Sequence, residues 1–287
     1  MDKRTTFGRI ALRGALDVRK RLNLTYEAPI CVYDVVEKLG IDLWFHGGGS
    51  FGGMYAKKAN AIFVPSLRPA PRQAFTCAHE LGHWYYGHGS KLDAYTEEDH
   101  CSKSDDEERL VDLYAGHLLM PSAAVKRAFK IRNLDPNNCS QVDFYKVASQ
   151  LGVGLSTLLT HMFWTQSNLN QSSFEKLRKF TPKQIRSDLL ACLDEDPGHL
   201  VIADNSWETV SIDLQVGQIA IIPAGVSIKG RGVIIVKQDS SQTILQAESP
   251  GIASAQNING WASFIRVSRA GFEGRSIYRH LEEVDDE

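Results

Sequence analysis

Phe75-Thr-Cys-Ala-His79-Glu80-Leu81-Gly82-His83-Trp84-Tyr85-Tyr86 is the stretch on which the reading of this chain turns. Two histidines four residues apart lie on one face of an α-helix, one turn apart, so their imidazoles can converge on one point. Glu80 follows the first and projects about 100° round the helix. It stands beside that point, where it can take a proton from water. This is the H-E-x-x-H arrangement, in which two imidazoles bind a metal and the glutamate is the general base. Gly82 costs about 1 kcal/mol against Ala inside a helix, which suggests a close-packing role.

A hydrolytic metal centre needs a third protein ligand and an open coordination position. The next helix-compatible stretch, Asp105-Asp-Glu-Glu-Arg-Leu-Val-Asp112, offers Glu108 as ligand, with Asp112 one turn on to orient a ligand histidine. Asp105, Asp106 and Glu107 are rivals. A solvated acidic helix start suits Asp105 and Asp106, whereas Glu108 falls on the side of Val111, Ala115 and Leu119 and is expected to face the core. A donor for a developing oxyanion is sought among Tyr86, His88, Arg109 and His117, and the sequence does not choose between them. Two histidines and one carboxylate suit Zn2+, with Mn2+ as the alternative. Cys77 and Cys101 lie near the metal helix in sequence. A thiolate filling the open position is one reading of them, and small buried hydrophobes is the more ordinary one.

Outward from this stretch the chain reads as α+β. An amphipathic helix is expected from Thr5 to Leu22 and a second from Val32 to Leu39, ended by Gly40. Short β-prone runs, 42–46 and 61–64, flank the glycine-rich 47–53 and predict a small antiparallel sheet. The metal helix runs from about Arg72 to Gly87, an acidic loop from Lys91 to Asp106, and the next helix from Asp105 to Met120, stopped by Pro121. The pattern stays helical to about Leu193. Within it, Val142–Val153 and Leu155–Met162 have helix-turn-helix spacing. From His199 the composition turns to β. The boundary is expected near Asp194–Gly198, and an acidic tail at 282–287. Three parts follow: a peptidase-type domain at 1–135, a helical segment at 136–195 and a β-rich sensory or docking domain at 196–287. Gly217–Gly225 has the look of a cupin turn without its histidines, so no second metal site is expected there.

Composition narrows the function. A net charge of −2 argues against a strongly basic nucleic-acid binder. The helix Leu155-Ser-Thr-Leu-Leu-Thr-His-Met carries no Lys or Arg for phosphates, so direct nucleic-acid binding is the weaker expectation. The basic residues Lys176, Arg178, Lys179, Lys183 and Arg186 read as a solvated face. Five scattered cysteines with no C-x-x-C pair, no signal-peptide core and no bilayer-length apolar run predict a cytoplasmic protein without membrane contact.

Thr76-Cys-Ala-His-Glu-Leu-Gly-His83, followed by Glu108-Arg-Leu-Val-Asp-Leu-Tyr-Ala-Gly-His-Leu-Leu-Met-Pro121, resembles the ImmA/IrrE metallopeptidases. Their second motif runs in outline Glu-x-x-Ala-Asn/Asp-x-Phe-Ala-x-x-Leu-Leu-Met-Pro. The resemblance covers Thr5 to Pro121 in arrangement and, more loosely, the helices to about Thr165. It implies a zincin-like domain, zinc ligands at His79, His83 and Glu108, and Glu80 as general base. It also implies regulated cleavage of a protein substrate such as a helix-turn-helix repressor, relieving transcription in a stress, prophage or mobile-element response. Val111 and Tyr114 replace the usual Ala and Phe, and His117 adds an imidazole where the family varies. The competing functions are a DNA- or signal-binding regulator with a structural or vestigial metal site, and a toxin-like peptidase of bacterial defence.

Overall fold

The computed structural model describes residues 3–48, 52–89, 105–191, 198–208 and 210–281. They form two compact units. The first holds the chain up to Arg127 together with Leu151–Val153 and Glu273–Ser276, and the second holds the remainder. The division drawn from sequence has three parts; here the middle helices share a unit with the β strands that follow. The expected acidic loop to residue 104, Cys101, the boundary at 194–197 and the tail at 282–287 lie outside the described residues. No helix among the described residues is long and apolar enough to cross a membrane.

In the first unit, α1 (Lys3–Arg21) presents Ala11, Ala15 and Val18 to the interior at helical spacing, and α2 (Val32–Lys38) stops where Gly40 takes φ 74°. A four-stranded sheet follows in the order β12-β1-β3-β2. Its strands are β1 (Asp42–His46), β2 (Met54–Ala56), β3 (Ala61–Pro65) and the late β12 (Gly274–Arg275). The expectation of an antiparallel sheet is corrected here. β1 and β3 run parallel, from Asp42↔Ala61 to His46↔Pro65, while β2 and β12 pair antiparallel to β3 and β1. The cause is β2. Three residues too short to announce themselves form the edge and turn back at Lys57–Asn60, where Asn60 has φ 47°, so β3 leaves in the direction of β1. β12 arrives from more than two hundred positions away, with Arg275 Nη2 donating to Asp42 Oδ1 at 2.6 Å.

Helix α3 (Ala70–Tyr86) and helix α4 (Asp105–Leu119) carry the motif residues. Their close approach depends on Gly82. A Cβ there would lie 3.0 Å from both the Tyr114 ring and Val111 Cβ, tighter than ordinary packing. Gly14 of α1 does the same under Tyr85 and Tyr86, with a Cβ position 2.6 Å from the Tyr86 hydroxyl. Arg19, fully buried, donates through Nε and Nη2 to the Leu118 carbonyl at 3.1 and 2.8 Å. Its Nη1 donates to the Thr25 and Ala28 carbonyls at 2.7 and 2.9 Å. A cation thus meets an orphan carbonyl in the last turn of α4. Burial pulls the guanidinium pKa down to about 10, so it stays charged at neutral pH.

Helix α5 (Ser122–Lys130) spans the division between the units in sequence. The second unit holds α6 (Gln141–Gln150), α7 (Leu155–Thr160), a π-helical turn at His161–Thr165, α8 (Gln171–Leu177) and α9 (Pro182–Leu189). Gly152 has φ 67° between α6 and α7, as the helix-turn-helix spacing requires. The strands here are β4 (Leu200–Ile202), β5 (Ile212–Gln215), β6 (Ile219–Pro223), β7 (Ser227–Gly230), β8 (Val233–Gln238), β9 (Gln242–Ala247), β10 (Gly251–Gln256) and β11 (Ala262–Ser268). They form two four-stranded sheets, β5-β11-β10-β7 and β4-β6-β9-β8, which share a core that includes Ile212, Leu214, Ala220, Ile222, Leu245 and Ile265. This is a sandwich, as alternating inward residues from both sheets dictate. Arg132, bidentate on Asp204 at 2.7 and 2.8 Å, joins the helical and β parts of this unit.

Candidate metal centre

The two histidines of α3 and Glu108 of α4 meet. His79 Nε2 lies 3.2 Å from His83 Nε2 and 3.1 Å from Glu108 Oε2, and His83 Nε2 lies 3.7 Å from Glu108 Oε1. Ligands about 2.0–2.1 Å from a tetrahedral zinc stand about 3.3 Å apart, so these three atoms have the spacing of three corners around one ion. Among the described residues they form the one group of this kind, and Asp105, Asp106 and Glu107 have no place in it. Glu108 sits at the rim and is 40% exposed, instead of facing the core as its helical side had suggested. The first turn of α4 ends before the burial that begins at Val111.

Each histidine is held from behind by its other nitrogen. Asp112 Oδ1 lies 2.8 Å from His79 Nδ1. Burial pulls the His79 pKa down, but the Asp112 hydrogen bond and the charges of Glu80, Asp112 and Glu108 outweigh it and raise the pKa. His83 is 1% exposed, and its Nδ1 lies 3.0 Å from Nδ1 of His88. Helix α3 ends at Gly87 with φ 72°, and this left-handed residue lets the His88 N–H donate to the His83 carbonyl at 3.0 Å.

Glu80 is buried at 4% exposure. Gly53, with φ 125°, lies against it: a Cβ at that position would stand 3.0 Å from Glu80 Oε1 and 2.4 Å from Thr76 Cγ2. In the sequence this glycine reads as part of a turn-rich stretch. Its signal is visible afterwards in the run of glycines immediately before β2.

The four oxyanion candidates fall in different places. The Tyr86 hydroxyl donates to the Ile10 carbonyl of α1 at 3.1 Å. His88 lies behind His83. Arg109 is exposed on the outer side of α4. His117 is buried nine residues beyond Glu108, about 14 Å along the helix, and burial lowers its pKa to about 4. Cys77 is fully buried, as a small hydrophobe would be.

Two imidazoles and one carboxylate converge from adjacent helices with a buried acid beside them, a donor set that could hold a metal ion. Residues 36–161 match the Peptidase_M78 family, described as the IrrE N-terminal-like domain, and this match supports an ImmA/IrrE family peptidase. No curated protein matches the chain. A solved structure described as a Mycobacterium tuberculosis transcriptional regulator aligns with 85% of this chain and 76% of its own, at 11% identity and a TM-score of 0.38. That likeness is too low to bear on fold or function.

Proposed function

We propose that the protein is a zinc-dependent endopeptidase acting in the cytoplasm on a specific protein, of which a helix-turn-helix transcriptional repressor is the leading example. The observation that carries this reading is the convergence of His79, His83 and Glu108 with the buried Glu80 alongside. Two imidazole nitrogens and a carboxylate are the donor set of hydrolytic zinc centres. When bound there, the ion supplies Lewis acidity toward a carbonyl and acidifies water.

The remaining steps belong to the chain. Asp112 and Glu108 hold His79 in place with its Nε2 turned inward. Glu80 takes the proton of the attacking water and returns it to the leaving amine. Gly53 keeps the space in front of Glu80 clear. Among the described residues β2 is an edge of its sheet, and it begins directly after Gly53. An extended peptide added to that edge by backbone hydrogen bonds would bring an amide past Glu80. This favours a peptide over a small ester or amide as substrate.

The test is Glu80→Gln. The variant is expected to bind one equivalent of zinc like the wild type and to lose cleavage, read by comparing the proteins cut in host cells carrying each form. A Glu80→Gln chain that still cuts at the wild-type rate would refute the mechanism.

A further inference from the structure

We infer that His88 is a positioning residue for the metal centre: it accepts a hydrogen bond from the His83 Nδ1–H and so keeps the His83 Nε2 lone pair aimed at the place shared with His79 and Glu108. The inference rests on the reading of that place as a metal centre.

The argument is one of proton counting. The two Nδ1 atoms are 3.0 Å apart, a hydrogen-bond distance with room for one proton between them and not two. His83 turns its Nε2 toward His79 Nε2 at 3.2 Å and Glu108 Oε1 at 3.7 Å. An imidazole that ligates through Nε2 must keep that nitrogen bare, so its proton is on Nδ1. His83 is therefore the donor and His88 Nδ1 the acceptor. The proton of His88 is then on its own Nε2.

The acceptor is itself held firmly. The left-handed Gly87 turns the chain back so that the His88 N–H reaches the His83 carbonyl, and two bonds link the same pair of residues. The His88 ring stacks on Tyr86 with centroids 5.8 Å apart and planes 28° off parallel. Tyr86 is tied through its hydroxyl to the Ile10 carbonyl of α1. The two ligand histidines are thus oriented by different chemistry, His79 by the carboxylate of Asp112 and His83 by an imidazole.

Three variants separate the hydrogen bond from packing. His88→Phe keeps a ring against Tyr86 and removes the acceptor. His88→Asn keeps an acceptor oxygen near the place of Nδ1 and removes the ring. His88→Ala removes both. Zinc affinity is measured by competition with a chromogenic chelator at neutral pH, beside melting of the metal-free proteins. The Phe and Ala variants are expected to bind zinc about 10–100-fold more weakly, with Asn within a few-fold of wild type. A Phe variant that binds as tightly as wild type, or an Asn variant no better than Ala, overturns the assignment. Should the variants melt early without metal, long-range nitrogen–proton spectra of the zinc-loaded wild type decide. His83 must carry its proton on Nδ1 and His88 on Nε2, and the opposite pair of tautomers overturns the proposal. A wild-type chain that takes up no stoichiometric zinc removes the metal reading itself, an outcome distinct from a zinc-binding chain indifferent to His88.

Discussion

Gly53 and Tyr114 carry opposite expectations. An alanine at 53 must adopt φ near 125° and push against Thr76 and Glu80, so the acid moves while the metal ligands on α3 and α4 stay. Gly53→Ala is expected to retain zinc and lose about a hundredfold in kcat, since a displacement near 1 Å at a reacting group has effects of that order. Steady-state kinetics beside metal analysis checks it. Among the described residues Tyr114 has no hydrogen-bond partner for its buried hydroxyl, and its ring stacks on Tyr85 at 5.6 Å. Tyr114→Phe restores the residue usual in the family and removes an unsatisfied group. Its stability to urea should be unchanged or about 1 kcal/mol higher. A loss would place an ordered water at the hydroxyl. At this scale the His79, Glu80 and His83 spacing was legible because helical geometry is local. Glu108 was legible only as one of several acids, because the choice among them depends on where α4 lies against α3. The place of Gly53 beside Glu80 was not legible, since the contact forms across a sheet edge.

Among the elements, α3 and α4 depend on a missing side chain. Gly82→Ala gains about 1 kcal/mol of helix propensity but must displace Val111 and Tyr114, an overpacking worth about 1–3 kcal/mol. Net destabilisation is expected, together with weaker zinc binding as Glu108 moves outward. Calorimetry of the metal-free and metal-loaded variant reads both. Arg19 fastens α1 to the end of α4 through carbonyls alone among its described bonds. Arg19→Met should cost about 3 kcal/mol or more, because several buried carbonyls lose their donor; denaturant unfolding gives the figure. Nothing in the sequence singles Arg19 out. It sits in a helix rich in Arg and Lys, and its burial follows from the meeting of α1 with α4. Helix ends, by contrast, were readable from Gly40, Gly87 and Pro121. The direction of β3 was misread because three-residue β2 left no pattern of its own.

For the molecule as a whole, pH acts through buried and half-buried imidazoles. Burial lowers His117 to about 4; His199 and His280 are likewise lowered to about 4, with Arg186 and Arg279 adding to the effect of burial. In the unfolded chain these groups titrate near 6.5 and bind more protons than in the folded one. What these three groups contribute to stability is therefore full above about pH 6.5 and is lost as pH falls toward 4. His117 alone contributes about 2 kcal/mol of that loss between pH 7 and 5, and His117→Gln should flatten the corresponding part of the melting-temperature profile. The overall α+β arrangement was legible from the change of period near His199. The pairing of Gly274–Arg275 with β1 was not, because two residues give no strand signal and their partner lies at the other end of the chain.

That last pairing has a consequence for synthesis. The sheet that ends in β2 lacks its β12 strand until the segment 273–276 has left the ribosome. Some 120 residues separate Val153 from that segment, on the order of ten seconds of translation at common rates. A nascent chain halted in that interval would expose an open flank on β1 with Asp42 lacking Arg275. Only chains that carry 273–276 can close the sheet on which α3 packs.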